Sequence, residues 1–74
     1  MKLSNTAETL KNNIGDFTGE WLNVHSDSDT EGYPVKNPMV YCNEEDQNAA
    51  LEELAEIING DDSVAIFGSG YRMW

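Results

Sequence analysis

The run Asp27-Ser28-Asp29-Thr30-Glu31-Gly32 sets oxygen ligands at alternate positions with glycine sixth, the pattern that opens an EF-hand calcium loop. Calcium chemistry needs a bidentate carboxylate at the twelfth position, yet that position is Pro38, and Pro34 falls inside the would-be loop. The carboxylates are therefore read as solvated. His25 and Cys42 are the sole His and Cys, and two such ligands do not close a zinc site. On paired strands they would suggest a Cys-His nucleophile, but no oriented third group or oxyanion hole accompanies them. His25 is expected on a strand surface and Cys42 half-buried in packing. Gly68-Ser69-Gly70 lacks the further glycine, the Lys-Ser/Thr pair and the following helix of a phosphate-binding loop, so turn chemistry explains it. The expectation is a non-enzymatic protein with no cofactor and no metal.

Carboxylates are the remaining chemistry. Fourteen acidic residues against four basic ones give a formal charge of -10, beyond the magnitude of roughly 2–8 that serves solubility in small domains. Such a field repels nucleic acid and anionic membrane, and its natural complement is a basic partner. With 74 residues the chain is expected to form one domain with a small core and no deep catalytic cavity. One cysteine allows no intrachain disulfide and fits a reducing cytosol, and no signal or membrane-spanning segment is read, so a cytoplasmic protein is expected.

The element that must position these acids is Asn43 to Asn59. Asn43 is an N-cap, Glu44, Glu45 and Asp46 oppose the macrodipole in the first turn, and Asn59-Gly60 supplies the stop. At about 100° per residue, Ala50, Leu51, Leu54, Ala55, Ile57 and Ile58 share one arc, while Glu45, Asp46, Glu52, Glu53 and Glu56 share the other. The helix holds no Lys or Arg, so no carboxylate has an intrahelical partner. An earlier helix is expected from a cap at Ser4 or Thr6 to about Asn13, with Leu3, Ala7, Leu10 and Ile14 inward and Gly15 ending it.

Strands are expected at Phe17 to His25, with Gly19 as a possible bulge, at Met39 to Cys42 after Pro38, and at Ser63 to Phe67. Ser26 to Asn37 reads as a long polar loop. Gly68-Ser69 is favoured as a two-residue hairpin loop into a fourth strand, Tyr71 to Trp74, over a bulge in one long strand. The order α-β-β-α-β(β) predicts an α+β fold, a three- or four-stranded antiparallel sheet with two helices packed on one face. Trp21 and Phe67 are expected inside, with Tyr33 and Trp74 as contact residues.

Glu45 to Glu56 spans about 16 Å of helix, and duplex DNA carries about ten charges over that length. Asp27, Asp29 and Glu31 from the loop, and Asp61 and Asp62 from the turn, would form a second row if they shared that side. In size, charge and acidic helix the chain resembles the small inhibitors that phages and mobile elements make against host nucleic-acid-binding machines, such as anti-CRISPR and anti-restriction DNA mimics. The resemblance is one of type, without a shared motif. It implies a phage-encoded, non-enzymatic inhibitor acting in the host cytoplasm as a monomer or homodimer. Its partner would be a host protein or ribonucleoprotein with a basic groove, a CRISPR effector first, with no direct contact to nucleic acid or membrane. The alternative is an acidic adaptor that binds host RNA polymerase or another protein through its aromatics.

Overall fold

The computed structural model describes residues 2–74. Helix α1 (Asn5–Ile14) begins where the Ser4 hydroxyl accepts the Ala7 N–H, and Ala7, Leu10 and Ile14 recur at its buried stripe. Helix α2 (Glu44–Gly60) is capped by the Asn43 side chain, which accepts the Asp46 N–H at 2.8 Å. The stop differs from expectation. Gly60 is the last helical residue, and Asp61 follows in extended conformation, its N–H bonded to the Ile58 carbonyl.

Four strands complete an α-β-β-α-β-β order: β1 (Trp21–Ser26), β2 (Asp29–Lys36), β3 (Ala65–Gly68) and β4 (Tyr71–Arg72). They form one antiparallel sheet in the order β2-β1-β3-β4. This is the α+β fold that the pattern predicts. Its core joins Leu22 and Val24 of β1 and Val64 and Ile66 around β3 to Ala7, Leu10 and Ile14 of α1 and Leu51, Leu54, Ala55 and Ile58 of α2. Because strand side chains alternate, the residues between them, Trp21, Asn23 and His25 on β1 and Ala65 and Phe67 on β3, take the opposite face. The two helices bury one face of the sheet and leave the other open.

Three expected boundaries are corrected. Most of the expected loop is β2, the longest strand of the sheet. Tyr33 and Val35 pair with Val24 and Leu22, so the cross-strand partners order a segment too polar to announce itself. Pro34 is tolerated because β2 is an edge. The Asn37 N–H bonds the Glu20 carbonyl, so by the two-residue repeat Pro34 occupies a position that owes β1 no donor. Met39 to Cys42 is no strand. Pro38–Val40 forms a short 3-10 turn capped by the Asn37 side chain, and the chain bends from there into α2. The hairpin exists, but its loop is Ser69-Gly70 rather than Gly68-Ser69. Both residues have positive φ, 48° and 83°, as a type I′ turn requires. Gly19 precedes β1 and marks no bulge within it.

Asn37 is the buried polar residue that the pattern misses. Fully buried, it donates from Nδ2 to the Phe17 and Gly19 carbonyls at 3.1 and 2.9 Å and accepts the Met39 N–H at 3.0 Å. It thereby ties the connection before β1 to the connection after β2.

Candidate functional site

On α2 the helical phase that buries Leu51, Leu54, Ala55 and Ile58 turns Glu45, Asp46, Glu53 and Glu56 outward, and all four are exposed. Asp46 also accepts a bond from the Asn43 amide at 3.0 Å. Glu52 behaves otherwise. Its carboxylate accepts the Ser4 N–H at 2.8 Å and the Ser4 hydroxyl at 2.6 Å, so it closes the N-terminus of α1 from a neighbouring helix. These bonds hold its pKa below the ordinary carboxylate value, the hydroxyl bond contributing most. Thr6 adds a second tie, donating to the Asn59 side-chain oxygen at 2.9 Å. The predicted five-carboxylate row is therefore four outward carboxylates and one that locks α1 to α2.

The loop and turn acids divide in the same way. Asp61 accepts the Ser63 N–H at 2.9 Å and the Ser63 hydroxyl at 2.6 Å, which lowers its pKa, again chiefly through the hydroxyl. The Ser63 hydroxyl in turn accepts the Asp27 N–H at 3.0 Å. Ser63 thus brings the β1-β2 turn beside the α2-β3 turn and sets Asp27 near Asp61. Asp27 and Asp62 are exposed. Asp29 is half-buried and accepts the Gly32 N–H at 3.1 Å, while Glu31 is exposed on β2. Asp27, Asp29 and Glu31 therefore occupy a turn and an edge strand rather than an ion-binding loop. Among the described residues no group of three or more His, Cys, Asp or Glu is placed to hold a metal ion. No described helix is long and apolar enough to cross a membrane.

The open sheet face carries the aromatic chemistry. Trp21, expected inside, is 55% exposed there, and Phe67 is half-buried on that same face. The phase of β1 is set by Leu22 and Val24, which leaves Trp21 no inward position. Tyr33, opposite Val24, and Tyr71, opposite Gly68, belong by register to the helix side of the sheet and are 40% and 75% exposed. Trp74 is half-buried against the core instead of standing free as a contact residue. Cys42, expected half-buried, is exposed, and with no strand at Met39 to Cys42 the pairing that would bring it to His25 is not formed.

His25 is firmly held. Its ring lies against Gly32, where a Cβ would come within 2.8 Å of it, and meets the Phe67 ring edge-on at 5.2 Å between centroids. Its Nδ1 donates to the Thr30 carbonyl at 3.0 Å, because a carbonyl can only accept. In the neutral ring this leaves Nε2 as an acceptor. With Asn23, Asp27, Thr30, Ser63, Ala65 and Phe67, His25 lines a shallow groove of about 540 Å³. No sequence motif marks it; the pairing of β1 with both β2 and β3 and the turn at Ser63 assemble it.

Comparison with protein-family models, curated proteins and solved structures finds no significant match to this chain.

Proposed function

We propose that this protein is a non-enzymatic inhibitor, of the phage-encoded DNA-mimic type, that lays the outward face of α2 into a basic nucleic-acid-binding groove of a host defence complex, a CRISPR effector first. The observation that carries the reading is the exposure of Glu45, Asp46, Glu53 and Glu56 on one side of a helix that contains no cation. Four charges over about 16 Å of helix is one per about 4 Å, close to the one per 3.4 Å along a single DNA strand. The stripe is also rigid. Its underside is packed in the core, and the Glu52-Ser4 and Thr6-Asn59 bonds fix α2 against α1. A preorganised row of charges loses less entropy on docking than a flexible acidic tail.

A second reading, an acidic adaptor that grips RNA polymerase or another host protein through aromatic anchors, is favoured by the exposure of Trp21 and Tyr71. Capture from host lysate at low and high salt separates the two. A charge mimic loses its partner steeply as salt rises, and an aromatic anchor does not. Reversing Glu45, Glu53 and Glu56 to Lys, with Glu52 kept for its structural bonds, should abolish capture by the first mechanism. A folded variant that still captures the same partner removes α2 from the interface.

A further inference from the structure

We infer that the groove on the open sheet face is a binding site for a guanidinium group, the side chain of an arginine presented by a basic partner. The donors whose roles the geometry defines there are already engaged, His25 Nδ1 by the Thr30 carbonyl and the Ser63 hydroxyl by the Asp61 carboxylate, which leaves acceptors for an incoming cation. Asp27 is the one carboxylate-bearing residue of the lining, and His25, its Nδ1 proton committed to the Thr30 carbonyl, has Nε2 as an acceptor in the neutral ring. Asn23, directly across from Phe67 on the pairing of β1 with β3, adds a side-chain amide, whose oxygen can accept from a cation. Between them the Phe67 ring supplies a π surface, and a planar cation on an aromatic face beside a carboxylate combines cation-π and charge-assisted attraction. The charge of -10 carried by the whole chain steers a cation toward this face.

The nearby cations do not compete. Arg72 pairs with Phe67 across the β3-β4 ladder, but its Nε donates to the Trp74 carbonyl at 2.8 Å, and it does not line the groove. Lys36 sits over the Tyr41 ring, 5.0 Å from its centroid, a cation-π contact of the same kind elsewhere on the molecule. The preference for arginine over lysine follows from shape. A flat fork can stack on Phe67 while its N–H groups reach acceptors at the rim, whereas an ammonium is a point charge that holds its water. The groove stands on β1 and β3, apart from the α2 carboxylates, and needs none of them.

The test is a titration of the isotopically labelled full chain, followed by NMR, with acetyl-Gly-Arg-Gly-amide, with its uncharged isostere in which citrulline replaces arginine, and with the lysine peptide. The arginine peptide should shift the resonances of Asn23, His25, Ala65 and Phe67, the lysine peptide should bind more weakly, and the citrulline peptide should leave them in place. Asp27→Asn and Phe67→Leu should each raise the Kd about two- to fivefold, as exposed charge and cation-π contacts do. Asp27→Asn keeps the backbone bond to Ser63, and the spectrum itself reports whether each variant is folded. Equal shifts with arginine and citrulline, a lysine peptide that binds as tightly, or shifts spread along α2 would each overturn the assignment. The variant with Glu45, Glu53 and Glu56 changed to Lys gives an independent arm. It should keep the arginine response in the groove whether or not it loses a captured partner, so the groove and the α2 interface can fail separately.

Discussion

Replacing Asn37 with Ala should weaken this fold more than any other single polar-to-alanine change. The side chain makes three bonds, to the Phe17 and Gly19 carbonyls and from the Met39 N–H, and it is fully buried. Each intramolecular bond contributes about 0.5–1.5 kcal/mol, and a buried partner left unsatisfied costs about 1–3 kcal/mol. Three partners abandoned together give roughly 3 kcal/mol as a lower working figure. At about 0.05–0.15 kcal/mol per residue, a domain of this size has only about 4–11 kcal/mol in total. With about 4–8 °C lost per kcal/mol, the melting temperature should fall by about 12–24 °C in calorimetry or circular dichroism. Asn48→Ala is the control. Asn48 is nearly as buried, at 4% exposed, but among the described residues its side chain ties no backbone connection together, so its loss should cost about 1 kcal/mol. Asn37→Asp should be worse than Ala at neutral pH, since a carboxylate would face two carbonyl oxygens, and should recover partly on acidification as it gains a proton to donate. An Asn37→Ala protein that melts within about 5 °C of the parent would refute the account of how the two connections are tied.

Leu54→Ala and Ile58→Ala should each cost about 2–5 kcal/mol in denaturant unfolding, Leu54 at the upper end because it is 1% exposed against 8% for Ile58. Glu52 and Asp61 have lowered folded-state pKa values, so their contribution to stability is complete above the ordinary carboxylate range and is lost as pH falls through the lowered values. Melting followed against pH should accordingly show an acid-side decline, and Ser4→Ala should flatten the part due to Glu52. Gly70→Ala should cost about 1–2 kcal/mol, because φ is +83° there and an L side chain is strained in that region. Calcium at physiological concentration should give no calorimetric binding heat, since Asp29, Glu31 and Gly32 are committed to β2.

The helices were legible because periodicity and caps are local. Ser4, Asn43 and the Leu51-Leu54-Ile58 stripe each announce themselves within a few residues. What failed was information held across the chain. The polarity of β2 hid it, since its order comes from pairing with β1 and Pro34 is harmless only on an edge. Trp21 looked like core by residue type, but Leu22 and Val24 take the inward phase. Glu52 has the helical position of a solvent carboxylate, and only the arrival of Ser4 from 48 residues away gives it partners. The groove around His25 was illegible for the same reason, as its walls come from β1, its turn, Ser63 and β3.

Pro34 has a consequence for how anything can approach this molecule. A sheet usually recruits partners most cheaply at its rim, where spare backbone N–H and C=O groups template another strand. Here one rim has a missing donor at its middle and charged side chains at Asp29, Glu31 and Lys36, and the other offers a strand of two residues, Tyr71 and Arg72. Both rims are poor templates for an added strand, whether foreign or from another copy of this chain. The two broad sides of the slab, where side chains rather than backbone decide what is accepted, are then the better-suited surfaces for recognition, and the edges themselves are poor templates for the stacking that ends in aggregates.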